Sequence, residues 1–157
     1  FIFKIETMGS DYFKPFNVFN NAIDILLDKV KKTKIYILSN GDKNFLKIEK
    51  DENIDNMKIF SFLFGEDHTL GNILSSKVEE LQKKIGDSRK NFSTYCIPHQ
   101  LLPKMEVKIR NDEAKIKLSP EEILVKAIDE IMSELNELKK LFNTKFDKFH
   151  NDKLKGK

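Results

Sequence analysis

Apolar residues recur along this chain at two periods, and each change of period marks an element. Phe1 to Thr7 alternates apolar and polar at every second residue and stops at Met8-Gly9-Ser10, the pattern of a half-buried strand closing in a turn. Pro15 then opens a three-and-four spacing, with Phe16, Phe19, Ile23, Leu26 and Val30 on one stripe before a basic end at Lys29 to Lys32. That predicts a helix of about four turns whose cations suit the negative end of the helix dipole. Ile35 to Leu38, the Asn40-Gly41 pair and Phe45 to Ile48 form a second region around a turn. Ile59 to Phe64 is the next strand.

Residues Gly65 to Asn72 switch the chain from strand to helix. Asp67 or Thr69 is placed to cap the first turn, and Leu70, Leu74, Val78, Leu81 and Ile85 continue the stripe to Gly86. Phe92 to Ile97 predicts a strand broken by Pro98, and Met105 to Arg110 alternates as another, ending in a turn at Asn111-Asp112-Glu113. Ser119-Pro120-Glu121-Glu122 combines a serine cap, proline at the first helical position and a glutamate that completes a capping box. Leu124, Ile128, Ile131, Leu135, Leu138, Phe142, Phe146 and Phe149 then form one seam, which would run roughly 45 Å if the helix continues to His150. The core of one small domain does not cover that length, so part of the seam must meet another helix, and the Phe16-to-Val30 helix is nearest at hand. The elements together predict an α+β fold, a mixed or antiparallel sheet of about four strands backed by helices.

Composition narrows the function. A chain of 157 residues with 39% hydrophobic content builds about one core. Its 28 basic and 25 acidic residues nearly cancel, and only the tail from Lys153 to Lys157 is densely basic, so charge favours a protein partner over nucleic acid. One cysteine excludes an internal disulfide, and no apolar run has the length of a membrane span. The expected setting is a reducing, soluble compartment.

Candidate chemistry is sparse. Glu66, Asp67, His68, Cys96 and His99 include metal-ligand types, but a closed site wants a second Cys/His pair that this chain lacks. Cys96 with His68 or His99 as a thiol or metal enzyme is the competing reading, and it has no flanking signature. Gly65 and Gly71 do not have phosphate-loop spacing. No catalytic residue, metal or cofactor is expected, and the aromatic seam reads as packing surface.

Phe64 to Leu74, then Tyr95 to His99, Val107 to Arg110 and the helix opened by Ser119 resemble, in order, the archaeal subunit L family of RNA polymerase and its eukaryotic and viral counterparts, relatives of the bacterial alpha amino-terminal domain. The likeness covers residues 34–157. Residues 1–33 resemble instead the carboxy-terminal end of that family's D-type assembly partner, so the whole is similar to the D–L fusions that large DNA viruses encode. The start at Phe1 rather than methionine fits a D-like remainder upstream or in a separate chain. The resemblance implies a non-catalytic role in transcription: the two halves form an alpha-type dimer on which the two large polymerase subunits assemble, with no direct sequence-specific nucleic-acid contact and no membrane. It implies a cytoplasmic or virion location if viral, and a nuclear one otherwise. Carried over, the interface would use Leu70, Gly71, Asn72, Ile73, Leu74 and Val78, with Phe16, Phe19, Ile23 and Leu26 and, on the last helix, Leu124, Ile128, Ile131, Leu135, Leu138 and Phe142. Gly71 would admit a neighbouring backbone at close range. Gln100 stands where the family often has proline.

Overall fold

The computed structural model describes residues 4–8, 14–39, 44–63, 68–99 and 101–155, the last six by backbone alone. Three helices, α1 (Pro15–Leu38), α2 (His68–Gly86) and α3 (Pro120–Lys155), alternate with four strands, β1 (Leu46–Lys50), β2 (Met57–Phe62), β3 (Phe92–Cys96) and β4 (Met105–Arg110). The strands form one sheet in the order β1-β2-β4-β3, antiparallel at every pairing. This is the expected α+β architecture with its four strands. The described residues divide into two compact units, one from Val30 to Ile131 and the other combining those up to Lys29 with those from Met132 on.

In the Val30–Ile131 unit the period-two alternation of β4 sorts its side chains. Met105, Val107 and Ile109 are fully buried, while Glu106, Lys108 and Arg110 stay half open on the other face. Phe60 and Phe62 sit opposite Val107 and Met105, so the buried face is continuous across the two central strands. Helix α2 lies against β3 and β4 with Leu70, Leu74, Val78 and Leu81 buried. Ile123, Leu124, Ala127 and Ile128 of α3 and Val30, Thr33 and Ile37 of α1 are buried in the same unit. Asn56, which closes the β1–β2 connection, has a φ of 60°, a conformation asparagine tolerates better than most residues.

The capping box at α3 forms as the sequence indicates. The Glu122 backbone N–H donates to Ser119 Oγ (3.2 Å), and the Ser119 N–H donates to Glu122 Oε2 (2.8 Å). Just upstream, Gln82 Nε2 donates to the Arg110 carbonyl (2.8 Å) and Asn111 Oδ1 (2.9 Å), and Asn111 Nδ2 donates to the Leu118 carbonyl (2.8 Å). These bonds tie α2 to the connection between β4 and α3.

In the other unit, the start of α1 runs antiparallel to the end of α3. Phe16 stacks on Phe142 with ring centroids 5.7 Å apart and meets Phe146 at a tilt at 4.3 Å, Phe19 meets Phe142 at 4.1 Å, and Lys139 donates to both carboxylate oxygens of Asp24. Phe142 and Phe146 of the long seam thus find the Phe16 helix, as the length of the seam required.

Four expectations change. Helix α1 does not end near Val30 but runs to Leu38, because Val30, Thr33 and Ile37 extend its buried stripe at three- and four-residue steps. Ile35 to Leu38 is therefore helix, and its expected turn at Asn40-Gly41 lies outside the described residues. Residues 4–8 belong to no strand, and the rest of the expected strand and its turn lie outside the described residues. Thr69 is inside α2, which begins at His68, while its rival cap Asp67, with Phe64, Gly65 and Glu66, lies outside them.

Candidate assembly surface

The unit built from the ends of α1 and α3 leaves much apolar surface open. A cavity of about 530 Å³ is lined by Ile5, Phe19, Ile23, Leu26, Leu135 and Leu138 together with neighbouring residues. Ile23 is buried there, and Phe16, Phe19, Leu26, Leu135 and Phe142 are half-buried. Leu138 is 45% exposed, and beside the residues expected from the sequence Ile25 and Leu141 are 62% and 55% exposed. Two helices presenting leucine, isoleucine and phenylalanine in this way carry a surface that association would remove from water, at about 25 cal/mol per Å² of apolar area. Ile25 and Leu141 are not evident from the sequence because they lie off the main stripes. The available signal was that Ile23, Ile25 and Leu26 make α1 apolar on more than one side.

The α2 candidates divide differently. Leu70, Gly71, Leu74 and Val78 are buried within the chain, as are Leu124, Ile128 and Ile131 of α3; Ile73 is half-buried and Asn72 exposed. The close approach at Gly71 is also internal and made by side chains: a Cβ there would lie 2.5 Å from Tyr95 Cδ2 and 2.7 Å from Met105 Sδ. Glycine thus lets α2 settle onto β3 and β4, in place of the neighbouring backbone expected.

Of the residues that invited a chemical reading, Glu66 and Asp67 lie outside the described residues, and the other three have these neighbours. His68 meets the Tyr95 ring edge-on at 5.8 Å, His99 Nδ1 accepts from the Leu101 N–H at 3.1 Å, and Cys96 Sγ lies 3.8 Å from Glu106 Oε2. Burial pushes the Cys96 thiol above its usual range, which makes it a poorer nucleophile. Burial also works to raise the Glu106 carboxyl, but the hydrogen bond from Lys104 (2.7 Å) and the charges of Lys104 and Lys108 prevail and hold it below the usual range. Among the described residues no three His, Cys, Asp or Glu side chains group as metal ligands do, and no helix is long and apolar enough to cross a membrane. Among the described residues the arrangement offers surface for packing and pairing.

Comparison with known proteins agrees with that geometry. The model of the RNA polymerase Rpb3/Rpb11 dimerisation domain matches residues 59–141, from β2 through most of α3. The chain is 34% identical over 67 residues to the DNA-directed RNA polymerase subunit Rpo11 of Metallosphaera sedula, across 43% of this chain and 64% of the relative. It is 36% and 37% identical over 67 residues to subunits of the same name from Saccharolobus shibatae and Saccharolobus solfataricus, across 43% of this chain and 63% of each relative. The match therefore spans just under two thirds of these relatives' length.

Proposed function

Because the chain belongs to the RNA polymerase Rpb3/Rpb11 dimerisation-domain family, we propose that it is a non-catalytic assembly subunit of a DNA-directed RNA polymerase. It forms one side of an alpha-type dimer, the platform that receives the two large subunits. In this reading residues 1–33 are the end of a D-like half and residues 34–157 an L-like half, and the remaining D-like half is supplied by the same or a separate chain. The protein works as part of a viral fusion subunit in the cytoplasm or virion, or as its cellular counterpart in the nucleus. It makes no sequence-specific contact with nucleic acid.

The observation that carries this reading is the open apolar surface at Leu138, Leu141 and Ile25. The contacts are proposed at Phe16, Phe19, Leu26, Leu135, Leu138 and Phe142, with Asn72 and Ile73 of α2 as a second open patch. Leu70, Leu74 and Val78, buried on α2 itself, support the α2 patch from inside, and Leu124 is buried in the same Val30–Ile131 unit. Co-expression with the D-like half and the two large subunits tests the reading. The wild-type chain is expected to co-purify with them, whereas Leu138→Asp with Leu141→Asp is expected to lose the partners while retaining its far-ultraviolet circular dichroism. Equal recovery of the double variant would overturn the proposed surface.

A further inference from the structure

Among the described residues strand β1 is an edge of the sheet, and its three central residues, Lys47, Ile48 and Glu49, have an unusual property: they read as their own complement. The backbone bonds from Leu63 N–H to the Phe45 carbonyl (2.9 Å) and from Asp51 N–H to the Met57 carbonyl (3.0 Å) flank the β1–β2 ladder. With the register Leu46↔Phe62 to Lys50↔Lys58, they place Lys47 and Glu49 among the residues whose backbone bonds β2. The N–H and C=O groups of Leu46, Ile48 and Lys50 therefore point away from the sheet. A cavity of about 790 Å³ lies along this edge, lined by β1 with Lys58 and Glu121.

We propose that this edge pairs with β1 of a second copy of the chain, antiparallel about Ile48, joining two four-stranded sheets into one. The register follows from twofold symmetry. Ile48 faces Ile48 of the partner copy, and Leu46 and Lys50 exchange backbone hydrogen bonds with Lys50 and Leu46. On the opposite face Lys47 stands against Glu49 and Glu49 against Lys47, at the closer, non-hydrogen-bonded positions of the ladder. Within one chain Lys47 Nζ already reaches Glu49 Oε1 at 2.7 Å, so both side chains lie on this face and need only exchange partners. Lysines on a short edge strand commonly repel added strands. Here the glutamate two residues from Lys47 turns that repulsion into attraction for one strand sequence, its own. Five residues a side bury a small area, so the association is weak and depends on concentration.

Charge reversal tests the pairing on the full chain by sedimentation velocity over a concentration series. Lys47→Glu sets two carboxylates against each other at both cross-strand pairs, and Glu49→Lys sets two ammonium groups there; each variant alone is expected to self-associate about tenfold more weakly than wild type. An equimolar mixture of the two restores opposite-charge pairs across the strands and is expected to recover association, as is the double variant Lys47→Glu/Glu49→Lys. Recovery in the mixture separates this edge from self-association through the helices, which these substitutions do not touch. A wild-type chain that stays monomeric at every concentration, or association indifferent to the single reversals, would overturn the proposal.

Discussion

Gly71 shows how far one residue constrains this fold. Its missing side chain leaves the space that Tyr95 and Met105 fill, so Gly71→Ala forces two packed side chains to move. The expected cost is about 1–3 kcal/mol, read as a shift in the urea midpoint with the slope unchanged. Glu80 makes a different prediction. Hydrogen bonds from Lys77 (2.6 Å), then Lys84 (2.5 Å), lower its pKa to about 2. A lowered folded-state pKa stabilises above the unfolded value, near 4.5, and that contribution disappears as pH falls towards 2. The melting-temperature difference between wild type and Glu80→Gln is therefore expected to be present at pH 7, small because the site is exposed, and mostly lost by the time pH reaches the folded-state pKa. No comparable sign was legible at Gly71 from the sequence, where a glycine in an apolar helix announces a close neighbour without saying whose it is.

At the scale of elements, local signals carried most of the information. Ser119, Pro120 and Glu122 fixed the start of α3 because each satisfies or removes a backbone donor at that end. Ser119→Ala is expected to cost about 1 kcal/mol in denaturant unfolding. The alternation of Met105 to Arg110 gave β4 the correct ends. Where the reading failed, one short run fitted two periods: Ile35-Tyr36-Ile37-Leu38 is β-branched and aromatic enough for a strand, and only the burial of Thr33 and Ile37 shows that helix won. The same ambiguity affected the interface candidates. An apolar stripe says that something covers it, and α2 is covered by its own sheet while α3 beyond Met132 remains partly open. Gln82 was not foreseen at all, since a polar residue on a buried face becomes meaningful only beside Asn111 and the Arg110 carbonyl. Gln82→Leu leaves those acceptors without their donor and is expected to cost about 1–3 kcal/mol, measured in the same unfolding experiment.

For the whole molecule, the proposed role is to contribute surface to a polymerase and no chemistry. Family membership was legible in the ordered motifs from Phe64 to Glu122, whereas which apolar residues remain outside is visible only in the fold. The most direct test reconstitutes the polymerase with wild-type chain, with Leu138→Asp, and with the combined Cys96→Ser, His68→Ala and His99→Ala variant, measuring both assembled particles and RNA synthesis per particle. The expected result is fewer particles of undiminished specific activity for Leu138→Asp, and wild-type values of both for the combined variant. Normal particle yield with a loss of RNA synthesis per particle in the combined variant would contradict the account.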